Sequence, residues 1–333
     1  MTQPREIADR DVADRNVADR DVANRSVADR DVIIREVGPR DGLQIEAPVP
    51  LAAKLRLIEA LAATGVRRIE VTSFVSPRAV PALADAEQVA AALTRWPTVE
   101  FSALVASVNG ARRAIAAGIT RLEYVVSMSD EHSRANTGRD TADSLDLLPA
   151  IVQLAHAAGA AVEVEVVLAT AWDCPFQGRT PTEPVVAAAR CSADCGVAAL
   201  TLADTIGTTV PGRVQDLHAR VAGALGETGI PIGMHFHNTR GSGLANAITA
   251  VNAGVTHLDA SIGGLGGCPF APGASGNIAT EELAYLLDES GVGTGLDMTA
   301  LLAAAAVAAA VVNHPLDSNL YRAGGPLTPR SRS

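Results

Sequence analysis

The sequence predicts a (β/α)8 TIM barrel with a C-terminal helical extension and a disordered N-terminal repeat tail. Two observations point there. From Asp31 onward about eight short β-like runs alternate with amphipathic or alanine-rich stretches, and polar residues collect at the ends of the runs. The predicted strands are 32–37, 68–72, 99–105, 122–127, 162–168, 198–203, 231–237 and 257–262. The predicted helices between them are 51–63, 81–93, 141–158, 183–195, 211–225 and 239–253. Gly65, Gly118, Gly159, Gly196 and Gly254 fall near helix ends, where left-handed caps are common. Residues beyond 278 read as helical, with 298–312 packed outside the barrel. An open doubly wound sheet is the competing architecture. It usually carries a phosphate-binding glycine turn after the first strand, whereas this turn is Gly38-Pro39-Arg40-Asp41-Gly42, with a proline and two charges.

Residues 1–31 form a separate region. They repeat a five-residue unit, Ala-Asp-Arg-Asp-Val and its variants, whose period matches neither helix nor strand. The charges nearly cancel and apolar bulk is sparse, so the segment reads as a disordered tail and residues 32–333 as the catalytic domain.

Composition narrows the function. Hydrophobic residues make up 48% of the 333, ample for a core. The formal charge is -10 and aromatic residues are 3%, which excludes a basic nucleic-acid surface and base-stacking platforms. No apolar run reaches membrane-spanning length. The four cysteines form no CxxC pair and no secretory signal opens the chain, so the expectation is reduced thiols in a cytoplasmic protein.

The most specific signal is His235-Phe236-His237 at the end of an apolar run. Side chains at i and i+2 of a strand share a side, about 7 Å apart at Cα, which suits chelation of one ion. An isolated His-x-His is as readily two satisfied strand-end histidines. Asp41 at the end of the first strand and an amide oxygen from Asn277 complete a set of four donors with open positions for substrate. One carboxylate, two imidazoles and an amide suit Mg2+ or Mn2+, with Mn2+ the more tolerant of nitrogen; Zn2+ prefers four-coordination. Arg40, Glu70, Thr72, Asp204 and Thr205 also lie at strand ends, where barrel active sites form. Charged groups are costly to gather at one mouth without a purpose. The stretch from Gly263 to Asn277 is too glycine-rich for a packed element and reads as a mobile lid that brings Cys268 to the substrate as a general acid or base. His156, His218 and His257 are assigned to packing or solvent.

These segments together resemble the 3-hydroxy-3-methylglutaryl-CoA lyase family of metal-dependent barrel lyases, which is related to Claisen-type synthases. The likeness covers 32–322. It is carried by Glu36 to Gln44, by Ile69 to Pro77, by Asp204-Thr205-Ile206-Gly207, by His235 to Gly241, and by the cysteine loop running on to Leu283. The resemblance implies that Asp41, His235, His237 and Asn277 are metal ligands and that Arg40 stabilises a thioester enolate. It implies that Cys268 is a lid residue in proton transfer, that Glu70 supports Arg40 and the metal site, and that Asp204 assists proton movement. Gln44, Thr205 and Asn136 fall at substrate-binding positions. The implied reaction is retro-Claisen cleavage of an acyl-CoA to acetyl-CoA and a 3-oxo acid such as acetoacetate, by a homodimer. The chain departs from the family around Glu46, flanked by Ile45 and Ala47, in the loop 127–138 and in the stretch 170–176. These loops line the substrate end, so the acyl group is the open question. A condensing synthase or aldolase of the same barrel group, and a non-catalytic binding barrel, are the alternatives. Deleting residues 1–30 is expected to leave turnover unchanged; a large loss of kcat would make the tail part of the enzyme.

Overall fold

The computed structural model describes residues 31–267 and 276–326. The repeat tail and Cys268 lie outside these residues. The barrel strands are β1 (Ile33–Glu36), β2 (Arg68–Ser73), β3 (Glu100–Val105), β4 (Arg121–Ser127), β5 (Glu163–Ala169), β6 (Ala199–Asp204), β7 (Ile232–Phe236) and β8 (His257–Ala260). All neighbours are parallel and consecutive in sequence, and β8 pairs with β1 to close the barrel. The main outer helices are α1 (Leu51–Ala62), α2 (Ala86–Ala91), α3 (Val108–Ala116), α4 (Asp130–Thr137), α5 (Thr141–Asp146), α6 (Leu148–Ala158), α7 (Thr182–Asp194), α8 (Pro211–Leu225) and α9 (Gly243–Asn252). After the barrel come α10 (Thr280–Glu289), α11 (Met298–Val312) and α12 (Asn319–Ala323). No helix among the described residues is long and apolar enough to cross a membrane.

Every predicted strand is present, with ends shifted by one or two residues. Several helices differ from the sequence reading. The stretch 141–158 divides into α5 and α6 because Pro149, at the start of α6, has no amide to continue the ladder. The stretch 81–93 breaks into α2 and two single turns. The helix expected over 239–253 begins only at Gly243, because Asn238 first closes a turn with Gly241 and then accepts from the Gly243 amide. The loop 127–138 contains the helix α4. It lacks apolar periodicity, so its signals are only its ends: Ser129 caps the His132 amide, two acids occupy the first turn, and Gly138 closes it at φ 75°. A two-strand ribbon, Asp173–Cys174 with Gly178–Arg179, was also not expected from the sequence.

Alternation along the strands sorts side chains between two cores. Leu122 and Tyr124 are fully buried, and the Tyr124 hydroxyl reaches outward to the Ser144 carbonyl of α5 at 2.7 Å. Between them Glu123 points inward. Arg35 of β1 meets Glu123 of β4 at 3.0 Å and Glu165 of β5 at 2.9 Å, bonds that cross the lumen between strands that are not neighbours. The interior is thus partly an ion network rather than layers of branched aliphatics. Arg35 compensates its acids, since a buried charge without a partner is costly.

Glu36 ties the first βα turn to the last. Its Oε1 accepts from the amides of Gly38 at 2.7 Å and Ile262 at 2.9 Å, and its Oε2 bonds to the Thr280 hydroxyl. Burial pushes its carboxyl up to about 7, against these three hydrogen bonds. A raised folded pKa means the unfolded chain loses its proton first. The contribution to stability is complete below the ordinary glutamate value and is lost as pH rises through about 7. The expected loss is on the order of 3 kcal/mol. Glu36→Gln should remove this component, so urea unfolding at pH 5 and pH 8 should show a larger loss in the native protein than in the variant. Parallel losses would contradict the assignment.

Candidate active site and metal centre

The site is assembled at the C-terminal mouth by three backbone devices. After β1 the chain makes one wide turn, Gly38–Gly42, in which the amides of Arg40, Asp41 and Gly42 all return to the Val37 carbonyl at 3.1, 2.7 and 3.2 Å. Wide turns of this kind recur at functional sites. This one carries Arg40 and Asp41 to the mouth. At the end of β7, alternation places His235 and His237 on the lumen side. The third device is the segment after the glycine-rich stretch. It runs beside the end of β7, with the Ile278 amide on the Phe236 carbonyl at 3.1 Å and the Asn238 amide on the Gly276 carbonyl at 3.0 Å. Asn277 is thereby bridged to His237 across 40 residues of sequence.

Asp41, His235 and His237 are buried, and one ligand atom from each lies within 4.8 Å of the others. Asp41 Oδ1 accepts from Arg40 Nη1 at 2.6 Å, and its Oδ2 accepts from Asn277 Nδ2 at 2.7 Å and lies 3.8 Å from His237 Nε2. Burial opposes the Asp41 charge, but Arg40 and the two histidines outweigh it and hold the carboxyl well below its usual range. His235 Nδ1 pairs with Asp259 Oδ2 at 3.0 Å. Gly266 approaches so closely that an added Cβ would sit 2.5 Å from Asn277 Nδ2, and its φ of 116° also demands glycine.

The donor set fits a divalent cation. Among the described residues Asn277 Oδ1 is buried with no hydrogen-bond donor, while Asp41 is ionised. An unsatisfied buried acceptor costs about 1–3 kcal/mol. Burial pushes Glu70 and Glu123 toward the neutral form, whereas Asp41 is held ionised beside the two imidazoles.

Arg40 sits between this set and Glu70. Its Nη2 meets Glu70 Oε2 at 2.6 Å, and its Nη1 also reaches Gln44 Oε1 at 3.4 Å. Its Nε is buried and has no acceptor among the described residues. Burial pushes Glu70 up, and the Arg40 and Arg35 guanidiniums oppose this.

The remaining predicted residues are more dispersed. Asp204 is buried, with its carboxylate oxygens capped by the amides of Thr208 and Thr209 at 3.1 Å each; burial raises its pKa, and the nearby His237 and these two bonds counter it. Thr205 Oγ1 accepts from the Thr170 amide at 2.8 Å. Thr170 is a buried β-branched residue at φ 54°, a conformation that costs about 1–3 kcal/mol and tends to cluster at functional sites. Asn136 lies exposed on α4.

The sequence reading gave no role to Arg35, Glu36 or Asp259. Each is a charge within a short apolar strand, which is itself a signal that a strand faces a polar lumen. It also passed over His132, buried on α4, bonded to Ser127 Oγ at 3.0 Å and kept neutral by burial, which lowers its pKa to about 4.

Comparison with known proteins agrees with this geometry. A hydroxymethylglutaryl-CoA lyase of Bacillus subtilis is 38% identical over 283 residues, 84% of this chain and 93% of that one. An (R)-citramalyl-CoA lyase of Chloroflexus aurantiacus is 40% identical over 297 residues, 86% of this chain and 92% of that one. The solved structure of an HMG-CoA lyase from Acinetobacter baumannii, in complex with coenzyme A and 3-methylmalate, superposes with a TM-score of 0.85 at 37% identity, covering 92% of this chain and 100% of that one. Residues 31–308 match the family model described as HMGL-like, and the chain belongs to that family.

Proposed function

We propose that this protein is a divalent-metal-dependent carbon–carbon lyase. It cleaves 3-hydroxy-3-methylglutaryl-CoA, or a close 3-hydroxyacyl-CoA, to acetyl-CoA and a 3-oxo acid such as acetoacetate. The observation that carries this reading is Arg40, clamped between Asp41 and Glu70 beside the donor set, with a buried Nε that has no acceptor among the described residues.

Asp41, His235, His237 and Asn277 would hold Mg2+ or Mn2+. When bound, the cation supplies Lewis acidity that favours the alkoxide of a chelated hydroxyl. The protein's residues perform the rest. Cleaving the C2–C3 bond sends its electrons into a thioester enolate, and the Arg40 guanidinium offers that oxygen a charge-assisted donor. Glu70 and Asp41 fix the guanidinium beforehand, so little reorganisation accompanies charge development. Arg40 Nε, without an acceptor among the described residues, supports this role, because a substrate oxygen would satisfy it. Asp204 sits beside His237 with a pKa raised by burial, which suits it to hold a proton released from the hydroxyl. Cys268, from the glycine-rich stretch, is assigned to protonation at the enolate carbon. Gln44, Thr205 and Asn136 are assigned to the substrate. Assembly as a cytoplasmic homodimer is part of this proposal.

A second substrate is favoured by one finding: the citramalyl-CoA lyase relative is as similar as the hydroxymethylglutaryl-CoA lyases. Acetyl-CoA release from both thioesters, measured with Mg2+ and with Mn2+, separates these readings. Condensation of acetyl-CoA with 2-oxo acids and no cleavage would instead make the protein a synthase. Arg40→Lys keeps the charge but loses the planar fork. It should remove most of kcat, by about 100-fold or more, the scale for loss of one oxyanion donor, without unfolding the barrel. Near-normal kcat in that variant would exclude the enolate role.

A further inference from the structure

The two histidines at the mouth are held in different ways. Among the described residues His237 Nδ1 is buried without a hydrogen-bond partner. His235 Nδ1, in contrast, pairs with Asp259 Oδ2 at 3.0 Å. Asp259 is in turn gripped by two prongs of Arg35, Nε on Oδ1 at 2.8 Å and Nη2 on Oδ2 at 2.9 Å. The barrel register makes this chain of contacts: Arg35 pairs with Asp259 across β1 and β8, and Asp259 pairs with His235 across β8 and β7. Arg35 is fixed from its far side by Glu123 and Glu165. All three residues, Arg35, Asp259 and His235, are buried.

We infer that Asp259, locked by Arg35, is a positioning residue that fixes the ring of His235 and directs its Nε2 lone pair to the cation position. The inference rests on the metal-dependent reading above. A carboxylate that accepts the Nδ1 proton leaves Nε2 unprotonated, holds the ring against rotation and raises its basicity as a ligand. The grip by Arg35 fixes the carboxylate itself, so the orientation is set by strand register before any cation arrives. Among the described residues His237 has no such support on its second nitrogen.

The test is Mn2+ binding to the full chain by titration calorimetry, arranged as a double-mutant cycle. Asp259→Asn should weaken Mn2+ binding by about 10–100-fold, the range for partners of this kind. In the His235→Ala background the same change should cause no further loss, because the ring it positions is gone. Unchanged affinity in Asp259→Asn overturns the inference while leaving the metal centre standing. Equal losses in both backgrounds also overturn it, since Asp259 would then act on the barrel as a whole. Failure of the native protein to bind any Mn2+ or Mg2+ overturns the functional reading and the inference with it. Should Asp259→Asn fail to fold, Arg35→Lys is run through the same cycle. It keeps the charge among Glu123, Glu165 and Asp259 but loses the two-pronged grip, with the same outcomes expected and excluded.

Discussion

The Asp41 carboxylate is the point on which the mouth of the barrel depends. One oxygen takes the Arg40 guanidinium and the other takes Asn277 and faces His237. Three distant parts of the chain thus converge on a single ionised group. Its charge is sustained at 8% exposure only because those partners are already in place. Removing any one leaves another buried polar atom without its match, so the site behaves as a unit.

Beneath this lies a second constraint. A barrel lumen lined by Arg35, Glu123, Glu165 and Asp259 gives up apolar burial on its inner face. The stability must then come mainly from the outer layer, where Leu57, Ile58, Leu122, Leu148 and Ile151 pack between strands and helices. The division is functional as well as energetic. The outer layer keeps the strands in register, and the register aligns the charged residues that support the site.

The α4 side of the mouth is built differently from the Asp41 side. It is made of α4, the ribbon at 173–179 and the strained Thr170, joined by short side-chain bonds such as Ser127 with Thr170 and Ser129 with Cys174. Loops can change composition without disturbing strand register, so they can diverge while the residues around Asp41 stay the same. Relatives named for hydroxymethylglutaryl-CoA and for citramalyl-CoA are about equally similar to this chain.

The eight strands, the closed parallel architecture and the residues Arg40, Asp41, Glu70, His235 and His237 were legible from the sequence. Period-two and helical patterns, and polar residues at strand ends, are local properties of the chain. The helix at 130–137 was not legible, because caps rather than an apolar face define it. Nor were the partnerships of Asp41 with Asn277 across 236 positions and of Arg35 with Asp259 across 224. Those follow only when the sheet closes, because which charge meets which inside the lumen is decided by inter-strand register. Local sequence sets each side chain's direction; the closed sheet sets what it finds there.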